Sequence, residues 1–160
     1  MKFFLDKKII FTTKPFSQKN GFTLLELLLS SGLMAALAGI AAPMYLSLQA
    51  ENEVAIAAAT TGDLLRRGQI RAQAVDGDSD WGVEMVSSTV TIFKGNNFGS
   101  RDQSFDENYN LAATLNFSGL NEVIFNKFSG WTAASGTIVI THQDGRIKNV
   151  TVSELGIIGL

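Results

Sequence analysis

The 160-residue chain is 46% hydrophobic and 18% charged, with no Cys and a single His, and at this length one domain is the default. The missing Cys excludes disulfide scaffolds, Cys-ligated zinc, iron–sulfur clusters and thiol catalysis, and one His leaves no His-rich metal site. The formal net charge of −2 conceals an asymmetry: residues 1–21 carry Lys2, Lys7, Lys8, Lys14 and Lys19 against Asp6, a balance of +4, which leaves −6 on the remainder. A Lys-rich flank, an apolar run and then an acidic body make the positive-inside arrangement, with the N-terminus in the cytoplasm and the body translocated across the inner membrane.

Phe22 to Ala50 is a window whose one charge is Glu26. About 20 apolar residues at 1.5 Å rise cross the hydrocarbon core of a bilayer, so this window predicts a single transmembrane helix. Leu24, Leu25, Leu27, Leu28, Leu29, Leu33, Met34, Leu37 and Ile40 go right around the helical wheel, whereas a buried core helix keeps a polar stripe. A cleaved secretory signal is the closest competitor, because Ala35, Ala36, Ala38, Ala41 and Ala42 supply small residues. Against it stand the long basic segment, Pro43 directly after the best small-residue site, and a carboxylate inside the apolar run. Glu26 has to be explained, since an ionised carboxylate costs roughly 2.5–3.5 kcal/mol at mid-bilayer and less near the interface.

The segment Lys19-Asn20-Gly21-Phe22-Thr23-Leu24-Leu25-Glu26-Leu27 resembles the prepilin cleavage signature of type IV pilins and type II secretion pseudopilins. The resemblance implies cleavage by a prepilin peptidase after Gly21 and N-methylation of Phe22 by the same enzyme. It places Glu26, with Thr23, among the assembly residues, Glu26 meeting the terminal amine of a neighbouring subunit in a filament core. A buried pair of that kind sets register more than it adds stability. Pro43 lies where such pilins commonly carry a proline, and a proline inside a helix deletes a backbone hydrogen bond and kinks the axis. The expected organisation is a basic leader over residues 1–21, a membrane-spanning half-helix over 22–48, an amphipathic half-helix over 49–75 and a β-rich head over 76–160.

From Gln49 to Val75 Ala, Glu, Gln and Arg favour continuation of the helix. Val54, Ala57, Ala58, Thr61, Leu64, Leu65, Gly68, Ala72 and Val75 recur at spacings of three and four, a weakly apolar stripe that suits a sheet. Arg66, Arg67 and Arg71 mostly lie off it and read as a solvated face. Asp76-Gly77-Asp78-Ser79-Asp80 follows, and alternate carboxylates on a turn suit hard cations. Trp81 and Ser87 stand where an EF-hand loop needs Gly and Glu, so the segment reads as a helix-to-strand turn, with Asp76, Asp78 and Asp80 as weak metal candidates. Alternating runs then predict strands at Trp81–Met85, Val90–Ile92, Leu111–Phe117, Val123–Phe125 and Ile138–Ile140. Lys94 to Asn110 reads as a long surface connection. Asp144-Gly145 between Thr137–His142 and Arg146–Val152 is the best hairpin signal. Arg146, Lys148, Val150 and Val152 share one parity, which demands either a bulge near Asn149 or mixed faces.

The expected fold is α+β, pilin-like: a long N-terminal helix whose second half packs on an antiparallel sheet. Phe128-Ser129-Gly130, the Gly145-Arg146 hairpin and the tail Val152-Ser153-Glu154-Leu155-Gly156 look most like GspH/FimT-like minor pilins and pseudopilins. No catalytic constellation or phosphate loop is present: His142 lies beside Asp144 without a positioned nucleophile, and Gly95 and Gly99 lack a following Lys-Ser/Thr. The expectation is a non-enzymatic structural subunit with no cofactor, whose partners are the peptidase, the membrane and other subunits, in a filament outside the cell membrane. The alternatives are an uncleaved single-pass ectodomain and a DNA-binding minor pilin. For the latter, Gly145-Arg146-Ile147-Lys148 resembles a basic tail segment of DNA-uptake pilins; Lys148 lacks the bidentate fork of Arg, and the −6 balance repels phosphate.

Overall fold

The computed structural model describes residues 21–160, apart from the side chains of residues 41–43, so the basic leader over residues 1–20 lies outside the described residues. Helix α1 spans Leu24–Gln73, with helical backbone assigned through Pro43. Two compact units divide within it, residues 1–40 and 41–160.

The second unit holds the end of α1 and eight strands. These are β1 (Trp81–Val86), β2 (Thr89–Lys94), β3 (Asp102–Asn110), β4 (Leu115–Gly119), β5 (Glu122–Phe125), β6 (Gly136–His142), β7 (Ile147–Val152) and β8 (Ile158–Gly159). They form two antiparallel four-stranded sheets, ordered β3-β2-β1-β5 and β4-β6-β7-β8, where the sequence suggested one. The helix stripe read from the sequence is the one that is buried. Val54, Ala57, Ala58, Leu64, Leu65 and Ala72 join Trp81, Val83, Met85, Val90, Ile92, Leu115, Val123, Phe125, Ile138, Ile140, Val150 and Val152 in one core. Gly68 lets the helix approach the first sheet, since a Cβ there would lie 3.0 Å from Val83 Cγ2. After Gln73 the chain leaves the helix through Val75 in the left-handed region at φ 56°.

Three expectations need correction, and the alternative left open for β7 is decided. Lys94–Asn110 is not a long connection, because Asp102–Asn110 pairs along β2 as an edge strand. Its residues alternate in partners rather than in hydropathy. Phe105 meets Trp81, Glu107 meets Arg71 and Tyr109 meets Arg67, while Asp106, Asn108 and Asn110 bond Arg101, Thr91 and Thr89. The alternating run from Leu111 becomes a strand only at Leu115, since Leu115 N–H closes a turn on Ala112 O at 3.0 Å. No bulge lies near Asn149, and β6–β7 register is unbroken, so β7 has mixed faces: Ile147, Lys148 and Asn149 are exposed, and Val150 and Val152 buried. Arg67 and Arg71 do not face solvent alone; both bind Glu107, and Arg71 lies over the Trp81 ring at 4.5 Å.

Candidate assembly site on the N-terminal helix

The first unit presents apolar side chains to every side. Phe22 is 81% exposed and Leu24 77%, and Leu25, Leu29, Met34 and Ile40 are similarly open. Nothing among the described residues buries them, and the helix is long and apolar enough to cross a membrane. Its hydroxyls are satisfied internally: Ser30 Oγ donates to Glu26 O at 2.7 Å and Ser31 Oγ to Leu28 O at 3.0 Å. That suits a hydrocarbon environment, where an unpaired donor costs several kcal/mol.

Gly21, Phe22 and Thr23 precede the first helical residue. Thr23 is the N-cap. Its Oγ1 accepts the Glu26 N–H at 3.2 Å, and its carbonyl accepts the Leu27 N–H at 3.1 Å. Thr23-Leu24-Leu25-Glu26 has the Thr-x-x-Glu spacing of a capping box, a signal present in the sequence that gives Thr23 a role in starting the helix. Glu26 stands exposed in the first turn, where the positive end of the helix dipole favours a carboxylate. Pro43 lies in helical backbone, but its side chain is outside the described residues, so the expected kink stays an expectation.

Within the head, the weak metal candidates do not converge. Asp78 pairs with Lys127 Nζ at 3.1 Å and Asp80 Oδ1 accepts the Lys127 N–H at 2.8 Å, whereas the carbonyl of Asp76 takes the Trp81 indole N–H at 2.8 Å. Among the described residues no cluster of three metal-ligating side chains forms.

The hairpin residues are brought together with the helix. Arg146 binds Asp144, lies 3.2 Å from Glu51 Oε2 and donates to Ser47 Oγ at 2.7 Å. His142 sits between Asp144 Oδ1 at 2.7 Å and Glu53 Oε2 at 3.4 Å. Bonds from Thr114 and Gln49 hold Glu53 below the usual carboxylate range, and the Arg146 backbone N–H does the same to Asp144. This is a clasp of the β6–β7 turn on α1. It occupies the guanidinium that a phosphate contact would need, and leaves Lys148 as the one exposed cation on β7. No sequence signal foretold the role of Glu51 and Glu53, which act through pairing about ninety residues distant in the chain.

The fold is similar to that of the minor pseudopilin EpsH from the type 2 secretion system of Vibrio cholerae, with a TM-score of 0.51 and 18% sequence identity, covering 68% of this chain and 95% of that one. No family model and no curated protein matches the chain. The chain therefore has the α+β, pilin-like fold expected from its sequence: a long N-terminal helix followed by antiparallel sheets.

Proposed function

We propose that this chain is a structural minor pilin or pseudopilin subunit, cleaved after Gly21 by a prepilin peptidase, N-methylated on Phe22 and assembled through its N-terminal helix into a type IV pilus or type II secretion pseudopilus. The observation that carries the reading is an apolar helix start, exposed all round, with one carboxylate at Glu26 in its first turn, ahead of a head with a pseudopilin fold. Cleavage places a positive amine on Phe22 at the membrane edge. The Glu26 carboxylate of a neighbouring copy or subunit then offsets the desolvation of both charges as helices pack. The head carries no nucleophile–base–orienter array in support of catalysis among the described residues. Before assembly the subunit sits in the inner membrane with its N-terminus in the cytoplasm and its head outside.

Co-expression with a prepilin peptidase followed by intact-mass analysis tests the proposal. Loss of residues 1–21 together with a methyl group on Phe22 is expected. Gly21→Val blocks the cut by adding branched bulk at the cleavage subsite. An unchanged wild-type mass, or cleavage after Ala42, refutes the reading.

A further inference from the structure

Both faces of β1 are covered, which its alternating apolar residues do not account for. Trp81, Val83 and Met85 enter the core, yet Gly82 and Glu84, on the opposite face, are buried as well. Glu84 is only 7% exposed, and its Oε2 is buried with no hydrogen-bond partner. An isolated ionised carboxylate in such a place is costly unless it is paired. What lies opposite it across the sheet is Thr91 on β2, whose hydroxyl is already donated to Asn108, and Glu122 on β5, a second carboxylate.

The cover over this face is the connection from β2 to β3. Phe98 stacks edge-on against buried Phe93 with ring centroids 5.3 Å apart, and its N–H donates to Glu122 Oε1 at 2.8 Å. Arg101 fastens the far end: its Nε lies 2.9 Å from both Asp106 oxygens, one Nη donates to Phe98 O at 2.7 Å, and the guanidinium covers the Phe98 ring at 3.7 Å. Gly82 leaves the room that Phe93 and Ile124 fill, because a Cβ there would collide with the Phe93 ring and the Ile124 Cδ1 methyl.

We infer that the segment Gly95–Arg101 is a strap whose closure over the outer face of β1, β2 and β5 is governed by the protonation of Glu84. Closed, the strap holds Glu84 away from water and beside Glu122; open, it gives the carboxyl solvent. The charged groups facing Glu84 are Glu122 on β5 and Arg101 on the strap, with Asp106 on β3 neutralising Arg101. Burial, reinforced by the Glu122 charge and opposed by Arg101, pushes the Glu84 carboxyl up from 4.5 to about 7. The closed form thus binds a proton that the open form has released. Opening therefore becomes easier as pH rises from the ordinary Glu range towards neutrality and levels off above it. Opening exposes Phe93 and frees the Phe98 N–H, so the response is a change of surface and not only of charge.

The test uses the full chain in detergent micelles and follows the Phe98 amide by hydrogen exchange, corrected for the intrinsic pH dependence of exchange. In the wild type, protection of residues 95–101 should fall at least about tenfold between about pH 5 and about pH 8. Glu84→Gln keeps the shape, removes the charge and should hold protection constant over that range. A 13C titration of the wild-type Glu84 carboxyl should level off where Phe98 protection does, which decides the matter even if Glu84→Gln folds poorly. Protection that ignores pH in the wild type, a midpoint unrelated to Glu84, or a pH response retained in a folded Glu84→Gln overturns the inference.

Discussion

Glu107→Ala is expected to unlatch the edge strand β3 from the helix. The carboxylate lies 2.8 Å from Arg67 Nη2, binds Arg71, and accepts the Tyr109 hydroxyl at 3.0 Å. Glu107 and Arg71 side chains are 29% and 23% exposed, so screening is incomplete. Hydrogen bonds to charged groups contribute about 1.5–3 kcal/mol when buried and exposed ion pairs about 0.2–1. For this partly buried pair the expected loss is about 2 kcal/mol, with a coupling of about 1 kcal/mol between Glu107→Ala and Arg71→Ala in a double-mutant cycle. Burial raises the Glu107 carboxyl, but the bonds from Tyr109 and Arg71 and the charges of Arg71 and Arg67 outweigh it and hold it below its ordinary value. Its contribution is therefore complete above the unfolded carboxylate range and is lost as pH falls through the depressed native value. Urea unfolding of the full chain in micelles, at about pH 7 and again at acid pH, measures both. A coupling under about 0.3 kcal/mol would return Arg67 and Arg71 to a solvated helix face.

Glu26→Ala should leave membrane insertion and the head unchanged while sharply reducing the share of subunit recovered in sheared filaments, because its proposed partner is the Phe22 amine of another subunit; normal incorporation would make Glu26 an interfacial carboxylate only. Titration of the protein with labelled duplex DNA at several salt concentrations should show no more than weak low-salt association, for wild type and Arg146→Ala/Lys148→Ala alike, since Arg146 is held by Asp144 and Glu51. Tight binding whose salt slope drops by about two phosphate contacts in the double variant would promote the nucleic-acid reading.

The parts of the fold that were legible are those where side-chain type alone decides the environment. An all-round apolar helix has no soluble solution, and the stripe Val54, Ala57, Ala58, Leu64, Leu65, Ala72 needs a partner surface; both were visible. The strands carrying Trp81, Val83, Val90, Ile92, Ile138 and Ile140 were visible for the same reason. β3 was not, because Asp-Gln-Ser-Phe-Asp-Glu-Asn-Tyr-Asn has no apolar alternation. Its inward residues are tolerated there by two arginines and a tryptophan more than twenty residues earlier in the chain. β1 was read correctly from one face only. A strand with a Glu at its outward position looks half-solvated, and nothing local reveals that a later loop returns to cover it.

Thr23 and Glu26 show how one short motif serves two levels at once. The N-cap hydroxyl of Thr23 satisfies the backbone N–H of Glu26, one of the donors that a helix start leaves without an intrahelical partner. Among the described residues no ion pair engages the Glu26 carboxylate. It stands at the positive end of the helix, four residues from Phe22, which lowers the cost of keeping it charged near the interface. In the proposed filament the same placement puts a carboxylate beside the terminal amine of an adjacent helix only in one axial register. A register slipped by a turn would leave both charges in hydrocarbon, so the pair selects the assembly geometry by penalising its alternatives more than by strengthening the correct one.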